Sequence, residues 1–168
     1  MLSADGSTML TDKKQILERW AEHFDNMLNR PAAINDKAIA RFPQLATNQE
    51  LNIPPASEEV SSVIKQMTSG KASGPDVIPA EVFKSSGAAI NDQLTSLYQT
   101  MWNQEQLLQE FRDATIVHIY KHKGSRPSID NHRGISLMSI AGKILARVFL
   151  NCLLDHLEQG VLPESQCG

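Results

Sequence analysis

The sequence predicts an α+β chain, mostly helical, with a single β-hairpin. Apolar residues recur every three or four positions over several long segments, the period of an amphipathic helix. One segment, residues 114–121, breaks that period and is rich in β-branched and aromatic residues, as strands are. A turn and a second extended segment follow it. An isolated hairpin is marginal in water, so this one must pack on the helices or pair with further strands.

The first helix follows Thr11, a candidate N-cap, with Asp12 favourable in its first turn. Ile16, Leu17, Trp20, Phe24, Met27 and Leu28 form one apolar stripe, and Pro31 ends the segment. Residues 32–56 hold Pro43, Pro54 and Pro55 among polar residues and read as a linker with one short helical turn. Ser57-Glu-Glu opens a second helix, with Ser57 as its cap and the glutamates at its positive end, carrying Val60, Val63, Ile64 and Met67, and Gly70 stops it. The segment Ser69 to Asp76 is a loop. Pro79 is placed to start a third helix that runs up to Gly87. A fourth carries Ile90, Leu94, Leu97, Tyr98, Met101 and Trp102, with a helical continuation from Leu107 to Phe111. Residues 114–121 form the strand, 123–127 the turn and 131–137 the return. Ser139 caps a last helix with Ile140, Ile144, Val148, Phe149, Cys152, Leu153 and Leu157, ended by Gly160 and Pro163.

Hydrophobic residues make up 41% and charged residues 21%, enough to bury a core and unlike a disordered chain. The net charge of -3 gives no global sign of nucleic-acid binding, so such a role must rest on local clusters. Cys152 and Cys167 are too few for a disulfide framework, and a thiol buried on a helix is favoured over a zinc site with His156. No apolar run reaches the ~20 residues of a membrane span, and the first residues lack the pattern of a secretory signal. A reducing intracellular setting is expected, with no compact Lys/Arg run to direct nuclear import.

Two segments could carry chemistry. Residues 121–147 hold Lys121, Lys123, Arg126, Arg133, Lys143 and Arg147, and Asp130 is their one acid. Lys and Arg brought together on a hairpin suit a polyphosphate, because the ammonium acts as a point charge and the guanidinium forks onto two oxygens. Such a cluster can equally be a solvated basic surface. Gly70-Lys-Ala-Ser-Gly-Pro-Asp76 departs from the nucleotide-cradling pattern, since Lys71 lies between the glycines and Pro75 removes a donor. Taken alone it reads as a turn between helices. Trp20 and Trp102 lie on apolar faces and are expected in the core. No histidine pattern suits a metal, and no Gly-x-Ser-x-Gly marks a nucleophile.

Taken in order, several segments resemble the reverse transcriptases of LINE-like, non-LTR retrotransposons. They are Trp20-Ala-Glu-His-Phe24 to Asn29, Gly70 to Glu81, Ile116 to Gly124, Asn131-His-Arg-Gly-Ile-Ser-Leu137 with Gly142-Lys-Ile144, and Gln166-Cys-Gly168. The resemblance spans nearly the whole chain and implies part of the fingers of an RNA-directed DNA polymerase, with no palm. Residues 1–30 are then a connector after an endonuclease domain, 31–56 a linker, and 57–168 the N-terminal extension and fingers. By the same resemblance Lys121, Lys123 and Arg133 meet the triphosphate of the incoming nucleotide. Lys71, Gly74, Arg126 and Lys143 meet the template. Gly134 stands where related enzymes often have proline.

The partners implied are template RNA, primer DNA and the palm. In this family two metal ions, magnesium in the intact enzyme, sit on palm carboxylates: a strand Asp and a later Asp-Asp pair. Neither is expected within these 168 residues, so the chain by itself is expected to bind without catalysing. The alternative is a small non-catalytic helical protein that uses the basic hairpin to hold RNA or a protein partner.

Overall fold

The computed structural model describes residues 1–31, 36–40 and 47–158. Its elements are α1 (Lys13–Leu28), α2 (Asp36–Ile39), a 3-10 turn (Gln49–Asn52), α3 (Ser57–Gln66), α4 (Ala80–Ser85), α5 (Gly87–Asn103), α6 (Gln109–Arg112), β1 (Ala114–Tyr120), a 3-10 turn (Ile129–Asn131), β2 (His132–Met138) and α7 (Ile140–Leu157). The fold is mixed α+β, with β1 and β2 paired as one two-stranded antiparallel hairpin. The expected helix stops at Gly160 and Pro163, together with Cys167 and the Gln166-Cys-Gly168 motif, lie outside the described residues.

Two compact units divide the chain. One holds Met1–Pro43 and Ile116–Ser136, and the other Gln44–Thr115 and Leu137–Gly168. In the first unit, α1 meets the turn half of the hairpin through an aromatic stack. Trp20, 6% exposed, lies flat on His118 with ring centres 4.3 Å apart. The Phe24 ring lies nearly parallel to it at 5.6 Å, and the His132 edge meets it at 5.2 Å. The hairpin therefore finds its support on a helix, as an isolated hairpin must.

The second unit holds the apolar core. Val60, Val63 and Ile64 of α3, Phe83 of α4, Leu94, Tyr98 and Met101 of α5, and Ile140, Ile144 and Val148 of α7 are buried together. Each side chain fully removed from water contributes about 1.5–3 kcal/mol. Tyr98 is 1% exposed and donates its hydroxyl to Ala141 O at 2.7 Å. Burial pushes its phenol well above the usual range.

Several local details depart from the sequence expectations. Asp12, and not Thr11, caps α1, because its carboxylate accepts from Lys14 N at 3.0 Å and Gln15 N at 3.1 Å. Ala56 caps α3, with Ser57 the first helical residue. Glu59 reaches back to Ala56 N at 2.7 Å, which satisfies a free donor at the helix start. α3 ends at Gln66, before Gly70. The helix expected to continue from α5 is interrupted. Glu105 takes a left-handed φ of 53°, Glu105 N donates to Trp102 O at 3.1 Å, and Gln106 N donates to Met101 O at 3.1 Å. That is a Schellman stop, here built without glycine. The α1 stripe is mostly open: Leu17, Met27 and Leu28 are exposed, and Trp20 alone in α1 is buried. Ser139 caps α7 as expected, accepting from Gly142 N at 3.0 Å. Trp102 is half-buried and packs on Phe149 at 5.6 Å.

Candidate functional site

The basic segment of the hairpin is a structured loop. Lys121 N donates to Asn131 O at 2.8 Å, which closes the ladder. Tyr120 Oη donates to Gly124 O at 2.5 Å, and Asn131 Nδ2 to Ser125 O at 2.9 Å. His122 and Gly124 both take positive φ, 55° and 76°, so the chain reverses tightly after β1. Lys121 Nζ donates to Asp130 O at 2.7 Å and so leans on a neutral carbonyl, without a carboxylate.

Register follows from these contacts. The Lys121–Asn131 bond and the Tyr120–His132 ring pair, 5.4 Å apart, set residue 120 opposite 132. Strand alternation then sorts the side chains. His118, Tyr120 and His132 point toward α1. Val117, Ile119, Lys121, Arg133 and Ile135 share the opposite face, with Arg133 across from Ile119 and diagonal to Lys121. Diagonal neighbours lie about 7–8 Å apart at their backbones, within joint reach of one polyphosphate. Val117, Ile119 and Ile135 are exposed there, at 39%, 47% and 43%. Lys123 and Arg126 are exposed on the loop.

Gly134 sits on the α1 side of β2. A Cβ built on it would run into the Phe24 ring, so this position admits the aromatic ring only because it carries no side chain.

The second unit holds the other basic residues. A groove of about 380 Å³ is lined by Val63, Met67 and Ile140 beneath Lys71, Lys143 and Arg147. Gly74 lets it form. A Cβ there would meet Met138 C and Ser139 N at 2.5 Å, so the loop backbone lies directly on the β2–α7 junction. This close approach brings Lys71 to the first turns of α7. The loop is held from its other side by α4. Gly70 N donates to Glu81 Oε1 at 2.5 Å, which holds that carboxyl below its ordinary range. Lys84 Nζ donates to Met67 O at 3.0 Å and Ser69 Oγ at 3.2 Å. Val77, exposed and β-branched, has a φ of 58°, a strained backbone in the same loop.

Among the described residues the ion pairs are Lys14–Glu18 and Arg19–Glu22, both on α1. None of Lys71, Lys121, Lys123, Arg126, Arg133, Lys143 and Arg147 has a carboxylate partner there. The structure brings the residues together in two sets. Lys121, Lys123, Arg126 and Arg133 belong to the hairpin unit, and Lys71, Gly74 and Lys143 to the helical unit. Arg147 joins the second set. The sequence counts it in the basic segment 121–147 without giving it a template role, although its place four residues after Lys143 was the signal for a shared helix face.

Among the described residues no cluster of three or more His, Cys, Asp or Glu could hold a metal ion. Cys152 Sγ lies 3.6 Å from Glu59 Oε1, and burial raises its thiol above the ordinary range. His156 Nδ1 pairs with Asn48 Nδ2 at 3.1 Å. No helix among the described residues is long and apolar enough to cross a membrane. No protein-family model matches the chain.

Proposed function

We propose that this chain is a fingers-side part of an RNA-directed DNA polymerase of the non-LTR retrotransposon kind. Its hairpin holds the triphosphate of the incoming nucleotide, with Lys121 and Arg133 as the main anchors and Lys123 beside them. The groove with Lys71 and Lys143 takes the template strand. Gly74 serves that groove through its packing, and Arg126 adds charge at the hairpin loop.

One observation carries most of this: Lys121 and Arg133 stand on one face of the hairpin, diagonal to each other and free of carboxylate partners. Unneutralised cations repel, so placing them together costs stability unless an anion comes between them. An ammonium and a guanidinium at that spacing suit successive phosphates of a triphosphate. A second observation is compatible with it. Phe149, Leu150, Leu153 and Leu154 leave an exposed apolar strip on α7, as expected for a helix that packs on a palm.

The residues present do not fit the metal ions of the intact family enzyme, because no suitable carboxylate cluster stands among those described. The metal and the transfer step therefore belong to palm carboxylates, and this chain's part is to bind and orient. Sequencing the transcript past codon 168 tests the assignment. A frame, intact or decayed, that encodes a Phe-x-Asp strand and then Ala-Asp-Asp supports it. A stop followed by unrelated sequence behind a dedicated promoter overturns it in favour of a small binding protein.

A further inference from the structure

We infer that Arg147 is the third anchor of the α7 groove, and that with Lys143 it grips two successive phosphates of a single RNA strand. The inference deepens the template role proposed above and rests on that assignment for its choice of RNA.

Lys143 and Arg147 are one helical turn apart, about 6 Å along the axis. That is comparable to the spacing of neighbouring phosphates on one strand. Like charges four residues apart destabilise a helix, and no acid lines the groove to offset this. Lys71 enters from the opposite rim, carried there by the close approach of Gly74 to Met138 and Ser139.

The floor decides between ligands. Half-buried Met67, over the core residues Val63 and Ile140, gives the groove its apolar base, with Gln66, Thr68 and the cationic rim around it. A single strand can lay a base or a ribose on such a floor while its phosphates stay at the rim. A duplex keeps its bases stacked inside and presents only backbone, so it gains nothing from the apolar floor. A phosphopeptide carries one phosphate and leaves half of the Lys143–Arg147 pair idle. The recognition is of backbone and carries no base sequence.

Binding of the purified 168-residue chain to a fluorescent oligo(U) 15-mer, followed by anisotropy from 50 to 200 mM KCl, tests this. Each phosphate contact on a single strand adds about 0.7 to the slope of log affinity against log salt. Arg147→Ala should weaken binding about tenfold and lower the slope by about 0.7. Arg147 is exposed and Ala favours helix, so the variant keeps its fold, as circular dichroism would verify. Arg147→Lys should keep the slope and lose a few-fold in affinity, because the charge remains and the fork is lost. Lys14→Ala, at an exposed ion pair on α1 outside both proposed sites, should leave the slope unchanged.

An unchanged slope in Arg147→Ala would overturn the role of Arg147. Equal affinity for a blunt RNA duplex would overturn the single-strand claim, and absence of any oligo(U) binding would overturn the groove as a site. None of these results bears on nucleotide binding by the hairpin. A chain whose groove binds RNA while its hairpin ignores triphosphate would refute the polymerase assignment and leave the groove standing.

Discussion

Replacing Gly74 by alanine isolates the contact that builds the groove. The new Cβ would lie 2.5 Å from Met138 C and Ser139 N, and 2.6 Å from Met138 O. Ordinary carbon contacts begin near 3.5 Å, so the methyl is about 1 Å too close. The obstacles are backbone atoms at the start of α7, which no rotamer change can move. Overpacking of this kind costs about 1–3 kcal/mol. With a urea slope of about 2 kcal/mol per molar, the midpoint should fall by about 0.5–1.5 M. Oligo(U) binding should fall with it, because Lys71 is displaced from Lys143 and Arg147. Gly70 supplies the contrast. Its φ is 71° and open space surrounds its Cβ position, so there the cost of alanine is conformational only. Asparagine tolerates a left-handed backbone, so Gly70→Asn should be milder than Gly70→Ala. At Gly74 the order should reverse, since asparagine is larger. A Gly74→Ala midpoint equal to wild type, or Gly74→Asn milder than Gly74→Ala, would refute the close-approach account.

Three further outcomes are expected. Tyr98→Phe should cost about 1 kcal/mol through loss of its bond to Ala141 O. It should also flatten the alkaline limb of stability: the folded phenol titrates above the unfolded one, so Tyr98's contribution is complete below pH ~10 and is lost as pH rises, at up to about 1.4 kcal/mol per unit. Urea melts of both proteins from pH 8 to 11 would show this. Gly134→Ala should destabilise the first unit by about 1–3 kcal/mol through collision with Phe24, and Phe24→Leu should recover part of that loss in the double variant. Hydrogen exchange over residues 116–134 would report both. Phe149→Glu with Leu153→Glu should reduce self-association in analytical ultracentrifugation, because both side chains are exposed on α7, at 41% and 47%.

Legibility in the sequence followed the range of the interaction. The helices of the core were plain, because Val60, Val63, Ile64, Tyr98, Ile144 and Val148 each repeat at helical spacing and each is buried. Their ends were less so. Asp12 outcompetes its neighbour Thr11 for the cap, and Glu59 moves the start of α3 back by one residue. The stop after α5 carried no glycine to announce it, since Glu105 itself takes the left-handed turn. Periodicity marked Leu17, Met27 and Leu28 as apolar but cannot say whether anything covers them, and they are exposed.

The candidate sites divide the same way. Strand alternation from residue 114 already put Val117, Ile119 and Lys121 on one face, but placing Arg133 with them needed the register. The groove was hidden. Lys71 and Lys143 are 72 positions apart, and they meet only because Gly74 packs on backbone that no local pattern identifies. The resemblance gave Lys71 and Lys143 a common role, while the groove that sets Lys71 beside Lys143 and Arg147 emerged from packing.

The triphosphate grip is tested most directly by nuclear magnetic resonance titration of the labelled chain with a deoxynucleoside triphosphate and with inorganic tripolyphosphate. Two charge-assisted contacts without a palm should give a dissociation constant on the order of 1 mM. Shifts should centre on residues 119–126 and 131–135, weaken with added salt, and largely vanish in Lys121→Ala with Arg133→Ala. Equal shifts in wild type and double variant, or shifts confined to other residues, would contradict the hairpin as the site where the nucleotide is held.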